Sequence, residues 1–94
     1  MMNTLTLPPA LYEKALALVQ EFAPDGVENG ALDADSAAAA IWALEHSART
    51  EEGPVIVRLT DAERAVYEAC FTVGAEHDDD EWPDADYRAA LAFG

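Results

Sequence analysis

Hydrophobic and polar positions change period several times along the chain. Asn3 to Leu7 alternates polar and apolar residues, which predicts a brief strand or extended arm closed by Pro8-Pro9. From Ala10 to Ala23 the period becomes helical. Leu11, Ala15, Leu18 and Phe22 share one face with Tyr12 and Val19 on its flanks, while Glu13, Lys14, Gln20 and Glu21 take the other. Pro24-Asp25-Gly26 and Asn29-Gly30 are turn chemistry and predict a loop from Pro24 to about Leu32.

Asp33 or Asp35 can cap a second helix running to about Arg49. Its segment Ala37 to Leu44 is apolar on every side, a pattern that predicts central burial, and its alanines allow neighbouring helices to approach closely. Thr50 to Pro54 breaks the chain before Val55-Ile56-Val57-Arg58-Leu59, a β-branched run that predicts a strand. Thr60-Asp61-Ala62-Glu63 matches a capping box and starts a third helix. Ala62, Val66, Ala69, Cys70 and Val73 form its main stripe, and the helix is expected to end near Gly74 or Ala75. After the acidic stretch from Glu76 to Pro83, Asp84 is placed to cap a last helix through Leu91, with Asp84 and Arg88 spaced to pair.

A lone strand leaves its backbone groups unsatisfied, so Val55 to Leu59 is expected to pair with Asn3 to Leu7. The predicted architecture is a mainly helical α+β fold with about four helices and a small two-stranded ribbon, an all-α bundle being the alternative. Residues 1–94 are read as one compact acidic domain, since 94 residues are too few for two.

Composition changes the picture from fold to partners. Five Lys and Arg stand against 19 Asp and Glu, a formal net charge of −14. Direct binding to nucleic acid or anionic lipid is disfavoured, because both draw on Lys and Arg. A hydrophobic share of 51% sets the chain apart from disordered acidic tails. No apolar run is long enough for a membrane span, and the first residues lack the features of a signal peptide, so a cytoplasmic protein is expected. The single cysteine, Cys70, excludes an internal disulfide and a cysteine-based zinc site.

The densest signal is the run from Glu76 to Asp86, with Glu76, Asp78, Asp79, Asp80, Glu81, Asp84 and Asp86 around Trp82 and no Lys or Arg. Three readings compete: a solvated loop, a divalent-cation site, and a docking surface for Arg and Lys of a partner. An EF-hand counted from Asp78 needs Gly at its sixth place and Glu at its twelfth, where the chain has Pro83 and Ala89. No metal site is therefore assigned, and a weak cation-binding protein is kept as a further alternative. The docking reading draws on Trp82 as an aromatic anchor, since Arg stacks on rings and forks onto carboxylates. Its bland counterpart is a hydrophobic contact ahead of the last helix. Trp42, Tyr67 and Phe71 lie off the main stripes of their helices, which predicts either burial under another element or a dimer or partner patch.

Catalysis finds little support. Cys70 lies in an apolar stripe, Ser36 and Ser47 lack a nucleophile-elbow context, no glycine-rich phosphate loop occurs, and His46 and His77 lack metal-pair spacing. No catalytic residue and no cofactor are assigned. The reading that results is a non-catalytic protein that binds and inhibits a basic, nucleic-acid-handling protein or complex. In size, acidity and lack of catalytic residues the chain resembles phage-encoded inhibitors such as anti-CRISPR and anti-restriction proteins. That resemblance is one of composition, with no shared motif. The alternative from another class is a homodimeric structural module with a solvated acidic surface.

Overall fold

A computed structural model describes residues 2–49, 51, 53–77 and 82–93. Strand β1 (Met2–Leu7) leads into α1 (Pro9–Glu28) and α2 (Ala34–Glu45). A two-residue β2 (Ala48–Arg49) and β3 (Val55–Thr60) follow, then α3 (Asp61–His77) and α4 (Asp84–Ala89). The predicted ribbon forms as β1 antiparallel to β3, in a register that sets Leu5 opposite Val57 and Leu7 opposite Val55. The short β2 extends it on the far side of β3, pairing Ala48 with Ile56 and Arg49 with Val55. Alternation does the sorting expected of a one-sided sheet. Leu5, Leu7, Val55, Val57 and Leu59 are buried against the helices, while Thr6, Arg58 and Thr60 are exposed.

Helix α1 runs straight through the loop expected from Pro24 onward. Pro24 lacks the N–H that would bond the Gln20 carbonyl and sets its ring against that carbonyl, yet the helix continues past it. Ala23 is buried beside it, Val27 packs at the core's edge, and both hold the helix to Glu28. The chain turns at Asn29-Gly30, where Gly30 takes φ +83°, and the Leu32 N–H returns to the Gly26 carbonyl at 2.9 Å.

Asp33 caps α2 by accepting from the Ser36 N–H at 3.1 Å. The helix ends at Glu45, four residues short of the expected end near Arg49, because Ala48 and Arg49 go to β3 instead. Nor is α2 central. Ala37, Ala40 and Leu44 are buried, but Ala38 and Trp42 are exposed and Ile41 is half-buried. An all-apolar helix in a chain this small lacks enough neighbours to cover it on every side.

The capping box forms as expected, Thr60 N–H donating to Glu63 Oε1 at 2.8 Å and Glu63 N–H to Thr60 Oγ1 at 3.2 Å. Helix α3 then departs from expectation in two ways. Its buried face is Val66, Tyr67, Cys70, Phe71 and Gly74, while Ala62, Ala69 and Val73 are exposed. The large rings offer far more apolar area than alanines, so the helix rolls toward them. It also continues to His77, because Gly74 is where α3 crosses α1. A Cβ there would come within 2.8 Å of Leu18 Cδ2 and 3.1 Å of Phe22 Cδ2. Helix α4 begins with Asp84 as its first residue after Pro83, so Asp84 is not its cap, and it ends at Ala89, two residues before the expected Leu91. Among the described residues the ion pair formed is Arg64 with Glu68, and Asp84 and Arg88 do not pair.

One hydrophobic cluster joins the inner sheet face to all the helices, Ala90 of the C-terminal segment included. Two tyrosines tie it together. Tyr12 Oη on α1 donates to the Leu44 carbonyl at the end of α2, and Tyr67 Oη on α3 donates to the Ala90 carbonyl at 2.6 Å. Among the described residues no buried side-chain polar atom lacks a partner.

Candidate functional site

The acidic segment carries the first candidate site, and its described part brackets α4. Glu76 is exposed on the last turn of α3, Asp84 is exposed at the start of α4, and Asp86 is half-exposed two residues on. Asp78, Asp79, Asp80 and Glu81 lie outside the described residues. Trp82 is half-buried and turned onto the protein itself. Its ring meets Phe71 edge-on at 5.0 Å between centroids, and Lys14 Nζ lies 4.2 Å above it. The anchor expected for a partner's Arg thus already packs in its own fold and already faces a cation. The hydrophobic contact ahead of α4 is the arrangement observed.

The three aromatics considered as an interface patch part company. Tyr67 and Phe71 are fully buried, which corrects their reading as a dimer patch. The C-terminal segment covers them: Phe93 packs edge-on to Tyr67 at 5.7 Å, Tyr87 lies 5.4 Å from Phe71, and Arg64 stacks on Phe93. Burial pushes the Tyr67 phenol well above its ordinary range, with Glu68 adding to the effect. Trp42 remains at the surface with 63% of its area exposed. It stacks on His46 at 4.2 Å, and His46 Nδ1 donates to the Trp42 carbonyl at 2.9 Å, an i, i+4 contact that holds both rings. Beside them is a groove of about 330 Å³ lined by Ile56 and Arg58 of β3.

A second groove, of about 390 Å³, lies between the end of α1 and the start of α2. Pro24, Val27, Ala34, Ala38 and Ile41 line it, with Glu28 at its rim. The sequence signal for it was present in the all-apolar pattern of α2, but that pattern reads equally as central burial. Only the placement of α1 and α3 shows which side stays open.

Cys70 is buried, and burial raises its thiol pKa, which leaves it a packing residue with little thiolate. Among the described residues no group of three or more His, Cys, Asp or Glu is arranged to hold a metal ion, and no helix is long and apolar enough to cross a membrane. No family model matches the chain, and no curated protein or solved structure matches it either.

Proposed function

We propose that this is a non-catalytic cytoplasmic protein that binds a basic, nucleic-acid-handling protein or complex and inhibits it by presenting carboxylates where that partner expects phosphates. Phage-encoded inhibitors of CRISPR or restriction systems are the kind of protein this describes. The observation that supports it is the surface charge: the net charge is −14, and among the described residues no charged side chain is buried. The 19 carboxylates belong to a body 39 Å in its longest dimension. A DNA duplex of that length carries about 23 charges at roughly one per 1.7 Å, so the two charge densities are of the same order. Arg64 is matched by Glu68, whereas Lys14 over the Trp82 ring and the exposed Arg88 on α4 lie within the acidic face and offset part of its field.

Glu76, Asp84 and Asp86, with Asp78, Asp79, Asp80 and Glu81 between them in sequence, are assigned to the partner's Arg and Lys. Charge-driven binding weakens steeply with salt, whereas apolar self-association persists or strengthens. The test is an affinity pull-down at low and high salt, with a variant in which Asp78, Asp79 and Asp80 are replaced by Asn and Glu81 by Gln. One nucleic-acid-binding complex, captured at low salt and lost both at high salt and with the variant, is the expected result. Recovery of nothing but the protein itself would overturn the proposal.

A further inference from the structure

We infer that the groove between α1 and α2 is the docking site for an amphipathic helix of the basic partner, an inference that rests on the function proposed above. The groove lies at one end of an antiparallel helix pair, between residues 23–28 of α1 and residues 34–41 of α2. Tyr12 near the start of α1 bonds the Leu44 carbonyl at the end of α2, while Val27 and Ala34 line the groove together at the opposite end. A cleft between two packed helices is a shape into which a third helix can pack. Ala34 and Ala38 are exposed and offer nothing beyond a Cβ, so a helix backbone can come close there. Pro24 and Ile41 supply apolar floor on the two sides.

Charge selects the occupant. Glu28 of α1 and Ala38 of α2 line the groove, and Glu21 seven residues before the first and Glu45 seven after the second share their helix faces beyond it. Asp35 and Trp42 repeat that spacing on the outer crest of α2, and all four acids are exposed. Among the described residues no Lys or Arg lines the groove: Lys14 lies on Trp82, Arg64 on Glu68, and Arg58 in the separate groove that Trp42 also lines. A helix with one apolar face and Arg or Lys on its flanks satisfies both the floor and the rims. The exposed Trp42 ring gives such a flank an Arg-stacking surface. A second copy of this chain fits poorly, because its own helices would bring carboxylates against these.

The test uses two synthetic peptides of Leu and Arg with identical composition, one patterned to a single apolar helical face and one scrambled. Each is titrated into the intact protein by NMR. Variants Ala38→Arg in the groove and Ala65→Arg on α3 make the same charge change at exposed positions, and Ala34→Arg stands in should Ala38→Arg alter melting. The patterned peptide should shift the amides of Val27, Ala34, Ala38 and Ile41 and bind about tenfold tighter than the scrambled one. Ala38→Arg should remove most of that advantage and Ala65→Arg should leave it. Equal binding of the two peptides, or equal effects of the two variants, would overturn the groove while leaving the charge-driven function standing. Failure of both peptides to bind at low salt would overturn both. Self-association of the free protein, abolished by Ala38→Arg, would give the groove to a second copy and overturn the inference.

Discussion

Helices α2 and α3 both carry apolar residues on more than one face, yet only one of them is enclosed by its own chain. On α3, Tyr67 and Phe71 stand off the expected stripe and are fully buried, because Trp82, Tyr87, Ala90 and Phe93 fold back over them. On α2, among the described residues, nothing returns to cover Ala38 and Trp42, which stay at the surface. The difference is one of supply. After α3 the chain still has aromatic residues to spend on a cover, whereas after α2 it goes directly into the β2 and β3 hairpin. Apolar surface that the chain closes off contributes stability, and apolar surface it leaves open beside acids is available to a partner.

Breaking the enclosed side should cost most. Phe71→Ala removes the ring that Tyr67, Trp82 and Tyr87 all contact, and a loss of about 3 to 5 kcal/mol in denaturant unfolding is expected. Tyr67→Phe keeps the ring but leaves the buried Ala90 carbonyl without its donor. A loss of about 1 to 3 kcal/mol is expected, with faster amide exchange in α4.

The same phenol gives the fold a sign in alkali. Burial raises its pKa in the folded state, so its stabilising contribution is complete below the unfolded value of 10.0 and is lost as pH rises above it. Unfolding curves from neutral pH to beyond pH ~10 should fall more steeply for the wild type than for Tyr67→Phe. On the open helix the effects shrink. Ile41→Ala, at a half-buried position, should cost less than about 2 kcal/mol, below the range for a fully buried isoleucine. Trp42→Ala should change stability by no more than about 0.5 kcal/mol while still weakening partner binding.

What could be read from residue order follows the same division. The β1 and β3 pairing, the Thr60 and Glu63 capping box and the amphipathic face of α1 rest on local periodicity and on backbone groups that must be satisfied, and all are present. The features that differ depend on tertiary contacts. Pro24 continues a helix because Ala23 beside it packs inward, Gly74 sits inside α3 because α1 crosses there, and Tyr67 is buried because residues some twenty positions later cover it. Of the candidate site, the acids and Trp42 could be named from sequence. The groove could not, since an all-apolar helix does not say which of its sides goes uncovered.

If carboxylates here take the place of phosphates, the protein must displace nucleic acid from the captured partner. Labelled nucleic acid would be pre-bound to the partner and the acidic protein titrated in at constant salt. Nucleic acid should be released in proportion to the protein bound, and the Asp78 to Glu81 neutralised variant should fail to release it. A stable ternary complex, with nucleic acid and protein bound together, would contradict it.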